Sequence, residues 1–125
     1  MAVDRTRVKL CGTASVEDAR MAEEAGADYI GVLVDIDFSK RTVDAEEARV
    51  IAAAVFAPVV ILTYERSASW TADAINRTGA SAVQLLGRES PDVVRELKGL
   101  TAAEVWKTLY LPGGESGDHL EQALT

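Results

Sequence analysis

At 125 residues, 48% of them hydrophobic, the chain has the material for one domain, read here as 1–125, whose core buries roughly two-thirds of the unfolded surface. A formal net charge of −7 excludes the basic surface that nucleic acid or an anionic membrane would need, but still allows a small anion held by a few local cations or helix N-termini. The longest apolar run, Val50 to Leu62, is interrupted by Pro58 and falls short of the ~20 residues of a membrane span. The first residues carry no apolar leader, and one cysteine cannot form an internal disulfide, so the expected compartment is the cytoplasm.

Taken in chain order, short β-rich runs alternate with amphipathic helical ones, the mark of an α/β fold with parallel strands. The first strand is expected at Val8–Cys11, followed by a helix capped by Ser15 with Asp18 three residues on and stopped at Gly26. A second strand, Tyr29–Val34, leads through Ser39-Lys40-Arg41-Thr42 to a helix opened by Asp44 and Glu47, with Ala48, Ile51, Ala52 and Val55 along one face. The third strand is Val59–Thr63, followed by a helix stopped at Gly79. Ala82–Leu86 is the fourth strand, and Ser90-Pro91 starts a helix read as ending at Gly99. Val105–Leu109 is the fifth, followed by the loop Pro112–Gly117. The segments Ala25–Ile30 and Thr78–Val83 resemble one another and suggest repeated units. Five such units allow two architectures: an open doubly wound sheet, or five-eighths of a parallel (β/α) barrel of TIM type, whose eight units need about 200 residues or more.

Five residues stand out chemically. Alternation along the first strand puts Lys9 and Cys11 on one face, where a cation near a thiol favours the thiolate and makes Cys11 a candidate base; the plain alternative is a small core cysteine. Arg41 lies in a loop after a parallel strand, where ligands are met, and its guanidinium suits a carboxylate or phosphate; the alternative is a solvated basic turn. Lys9, Gln84 and Lys107 are expected to form a polar layer inside the sheet, either orienting a substrate or satisfying one another. The loop Pro112–Gly117 matches no phosphate-loop or dinucleotide fingerprint, and His119 has no ligand-spaced partner, so no metal site is expected.

Lys9-Leu10-Cys11-Gly12, Glu17-Asp18-Ala19, Gly26-Ala27-Asp28-Tyr29-Ile30-Gly31, Ser39-Lys40-Arg41 and Val83-Gln84-Leu85 with Gly87 occur in that order over nearly the whole chain. Together they resemble the phosphoribosylanthranilate isomerases of tryptophan biosynthesis. The resemblance implies an eight-stranded (β/α) barrel, of which this chain carries the first five units, and an Amadori rearrangement of an aminoaldose phosphosugar to an aminoketose without a cofactor. It gives Cys11 the role of general base at the sugar C2′ and Arg41 that of holding the anthranilate carboxylate. Two departures accompany it. Leu86 stands where the family usually has histidine, and the family's acid aspartate and phosphate loops belong to strands six to eight. The 125 residues alone are therefore expected to be inactive and, with sheet edges open, to form a homodimer. A non-catalytic partial barrel that binds a small anion or self-associates is the alternative.

Overall fold

The computed structural model describes residues 5–111, so the Pro112–Gly117 loop and His119 lie outside the described residues. The elements alternate as β1 (Lys9–Leu10), α1 (Val16–Glu24), β2 (Tyr29–Leu33), α2 (Ala45–Ala53), β3 (Val59–Thr63), α3 (Ala68–Thr78), β4 (Ala82–Leu85), α4 (Pro91–Leu100) and β5 (Glu104–Lys107). Local chemistry sets the helix starts. Ser15, Ser67 and Ser90 each accept a hydrogen bond from the N–H three residues on, and Asp44 with Glu47 forms a reciprocal capping box. Gly79 closes α3 at φ 75°, and Gly26 turns the chain after α1 at φ 100°, which is why the two similar segments around them enter their strands alike. Gly99 does not stop α4; the helix runs one residue further and ends at extended Thr101, whose N–H reaches the Leu97 carbonyl.

Every strand pair is parallel, and the sheet order is the chain order, β1-β2-β3-β4-β5. A doubly wound sheet reverses its strand order at a switch point; this one does not. Its curvature points the same way. The Tyr29 ring on β2 meets Trp106 on β5 edge to face with centroids 5.1 Å apart, whereas three strand spacings in a flat sheet would separate them by roughly 14 Å. The protein is thus a partial (β/α) barrel.

The two faces of the curled sheet differ in composition. Ile30, Val32, Val34, Val59, Ile61, Val83 and Leu85 point toward the helices and join Ala19, Ala48, Ala72, Ile75 and Leu97 in the main core. Gly31, Val60, Leu62, Ala82, Gln84 and Trp106 alternate with them and face inward. The register also corrects one expectation. Lys107 pairs with Leu85, while Trp106 pairs with Gln84, so Trp106 occupies the inner layer and Lys107 leaves it for the other face. At the opposite end of the sheet Asp28 ties down the entry to β1, taking the Val8 N–H at 2.7 Å and the Arg5 guanidinium. Those bonds, the Arg5 one foremost, hold its carboxyl below the usual range.

Candidate active site

Cys11 follows β1 directly and is exposed at its C-terminal end. The ladder continues past the strand, with Thr13 N–H donating to the Gly31 carbonyl at 3.0 Å, and this brings the cysteine down onto Gly31. A Cβ at Gly31 would lie 2.9 Å from Cys11 Sγ and 3.2 Å from its Cα, so only glycine in the middle of β2 lets the thiol-bearing residue sit here. At Gly12 the chain turns with φ 81°, and the space a side chain would fill holds Arg41, with Cδ and Nη1 each 3.0 Å from the would-be Cβ. The guanidinium therefore lies against the Gly12 backbone, next to Cys11.

Arg41 is delivered by a loop with its own hydrogen bonds. Buried Ile36 anchors it, donating its N–H to Thr42 Oγ1 at 2.8 Å and accepting from Ser39 N–H at 3.0 Å. Ser39 Oγ in turn accepts from Arg41 N–H at 3.2 Å, and the loop ends are pinned by a bridge between Val34 and Val43. Cys11, Gly12 and Arg41 line one open pocket of about 490 Å³ together with Leu10, Thr13, Ala14 and, on α1 and its C-cap, Asp18, Met21, Ala22 and Ala25. It is a groove that runs along α1 beside the edge of β1 left unpaired among the described residues. The two residues singled out for base chemistry and anion recognition, thirty positions apart in sequence, thus share one cavity.

Lys9 and Gln84 also meet, in a different place. Lys9 Nζ donates to Gln84 Oε1, Gln84 Nε2 donates to Thr108 Oγ1 at 3.1 Å, and the ammonium stands 5.7 Å from the Trp106 ring centroid. This chain crosses the interior from β1 to the end of β5 and completes the inner layer. Its polar ends satisfy one another, and neither Lys9 nor Gln84 lines the Cys11 pocket.

A second cavity, of about 320 Å³, opens between the ends of β2 and β3 and includes Asp35, Asp37, Phe38, Tyr64, Glu65 and Arg66 in its walls. Phe38 and Tyr64 stack edge to face with centroids 5.0 Å apart, and the Glu65 carboxylate raises the Tyr64 phenol above its ordinary range. Sequence reasoning missed three participants: Trp106 in the interior, Gly31 beneath the thiol, and Glu89, which is buried behind the β4 end. A glycine amid the apolar β2 run was the available signal for the second.

No family model matches the chain. Over 116 residues it is 37% identical to the N-(5′-phosphoribosyl)anthranilate isomerase of Methanocella arvoryzae, covering 90% of this chain and 54% of that protein. The chain belongs to the phosphoribosylanthranilate isomerase family. A monomeric form of the dimeric phosphoribosylanthranilate isomerase of Thermotoga maritima superposes with a TM-score of 0.85 at 30% identity, over 96% of this chain and 60% of that one. A phosphoribosylanthranilate isomerase in complex with reduced 1-(o-carboxyphenylamino)-1-deoxyribulose 5-phosphate superposes with a TM-score of 0.85 at 29% identity, over 96% of this chain and 60% of that one. The chain spans about half the length of the curated relative it matches, and the five strands and four helices of its described residues form part of the family's barrel.

Proposed function

We propose that this chain carries the base and carboxylate-recognition half of a phosphoribosylanthranilate isomerase. The observation that carries the reading is the contact at Gly12: the Arg41 guanidinium, which the family resemblance assigns to carboxylate binding, lies against the backbone directly after Cys11, which it assigns to chemistry. Arg41 pairs with the anthranilate carboxylate through its parallel N–H donors. Ring opening of the phosphoribosyl group leaves a protonated imine, which acidifies the neighbouring C2′–H. The Cys11 thiolate takes that proton, and the enamine rearranges to the aminoketose. Lys9 and Gln84 support the interior on which the substrate rests. The solved complex with a carboxyphenylamino deoxyribulose phosphate fits this substrate class, and no cofactor is called for.

The five described strands do not include the sixth, where the resemblance places the acid, so the 125 residues alone are expected to turn nothing over. The decisive experiment joins residues 1–111 to the remaining barrel units of the Methanocella arvoryzae relative and follows loss of substrate fluorescence. The chimera should be active, and its Cys11→Ser variant should lose about 10²–10⁴-fold in kcat with an unchanged fold. A fully active serine variant removes Cys11 from the reaction.

A second reading rests on the sheet edges. Among the described residues β1 pairs only with β2 and β5 only with β4. Beside those edges Val8, Leu10 and Met21 on one side, and Leu100, Tyr110 and Leu111 on the other, are exposed. We infer that the 125-residue form covers them as a homodimer in a reducing, cytoplasmic setting; sedimentation as a monomer at micromolar concentration would overturn this.

A further inference from the structure

Glu89 lies in the loop between β4 and α4, directly before the capping Ser90, and its side chain is only 2% exposed. A carboxylate so deeply buried needs compensation. Its Oε2 accepts the N–H of Glu65, from the end of β3, at 2.8 Å and the N–H of Gly87, from the end of β4, at 3.2 Å. Its Oε1 accepts no hydrogen bond among the described residues but stands 3.3 Å from Lys107 Nζ, the last residue of β5. That ammonium also donates to the carbonyls of Gly87 at 2.6 Å and Thr108 at 2.8 Å. Three neighbouring strand ends thus converge on one charge, and the N-terminus of α4 adds its positive field.

The backbone is shaped around this arrangement. Glu65 adopts φ 48°, a left-handed conformation unfavourable for a non-glycine residue, which aims its N–H at the carboxylate. Gly87 packs so tightly on the Glu65 side chain that a Cβ would overlap Cγ.

We propose that the Glu89 carboxylate is a built-in anion filling a cradle made by the Glu65 and Gly87 N–H groups and the Lys107 ammonium, and that it acts as a positioning residue, holding the ligand-side ends of β3, β4 and β5 in register. Through Glu65 it fixes Tyr64 and the wall of the cavity between β2 and β3. Through Gly87 it fixes Leu86, whose carbonyl takes the Tyr110 hydroxyl. The inference concerns the rim and not the reaction, so it holds whether or not Cys11 is a base.

A cradle emptied of its own carboxylate should accept a free one. In the 125-residue chain, Glu89→Gly is expected to lower Tm by on the order of 10 °C and to expose the Glu65 and Gly87 amides to hydrogen exchange. Formate or acetate should raise Tm saturably and restore protection at those two amides, whereas chloride at equal ionic strength should do neither. Equal effects of acetate and chloride, or two amides as protected as in the parent protein, would overturn the proposal. Where Glu89→Gly folds only with an additive, folding in formate but not in chloride supports the cradle. Where it folds in neither, Glu89→Gln decides: a parental Tm with both amides protected shows that charge is irrelevant here, while a lowered Tm with faster exchange at those amides upholds the internal anion.

Discussion

The ligand-side rim of this barrel is built in two ways. Around the ends of β1 and β2, residues come together because side chains are missing: Gly31 makes room for Cys11 and Gly12 makes room for Arg41. The thiol is exposed, and hydrogen bonding holds the loop that carries Arg41. Around the ends of β3, β4 and β5 a buried ion holds three loops together, with Glu89 bonded to two backbone N–H groups and set against Lys107. The first arrangement leaves reactive and cationic groups free for a ligand. The second uses its charges on itself, which makes it a scaffold.

Removing a partner should separate the two most clearly. Lys107→Met strips the ammonium from a carboxylate that is 2% exposed, and breaking a buried pair from one side should cost about 3 kcal/mol. Adding Glu89→Gln to that variant should recover part of the loss, since the orphaned charge is then gone. Urea unfolding measures both, and a loss under about 0.5 kcal/mol for Lys107→Met would mean that solvent already screens the pair.

Gly31→Ala asks the same of the other half. Rotation can move Cys11 Sγ away from a new methyl group, but Cys11 Cα at 3.2 Å is backbone, so β1 must shift on β2. A cost of about 1–3 kcal/mol is expected for such overpacking, with an altered rate of Cys11 alkylation by iodoacetamide. Unchanged stability and unchanged alkylation together would show that the close approach constrains nothing.

What the sequence made legible follows from how local each signal is. Caps act over three residues, so Ser15 and Asp44 could be placed from the acid three residues on, and Ser90 from the proline that follows it; Ser67 caps α3 equally well but has neither mark. The parallel barrel was half legible, because alternation gives five units, while the unreversed strand order and the curvature, seen in Tyr29 against Trp106, are what separate it from an open doubly wound sheet. The register of β5 was hidden, since Glu104-Val105-Trp106-Lys107 alternates no more convincingly one way than the other, and Lys107 was accordingly put on the wrong face. Glu89 looked like any loop carboxylate between Arg88 and Ser90. Its burial depends on an N–H 24 positions earlier and an ammonium 18 positions later, and no local pattern encodes that.

The smallest stability effect should come from the residue with the clearest ligand role. Arg41 packs its guanidinium over Gly12, and none of the ion pairs found among the described residues involves it. Arg41→Ala should therefore change stability by less than about 0.5 kcal/mol, as surface substitutions away from special features do. The same change removes the paired donors that face the Cys11 pocket, and a charge-assisted contact of that kind contributes about 1.5–3 kcal/mol. In the active chimera KM should accordingly rise by roughly ten- to a hundredfold while the melting curve stays in place, with Arg41→Lys recovering little because an ammonium cannot reproduce the planar fork. Unchanged KM would return Arg41 to a solvated basic turn; a large loss of stability would instead mean that the β1–β2 half of the rim depends on its cation much as the other half depends on Lys107.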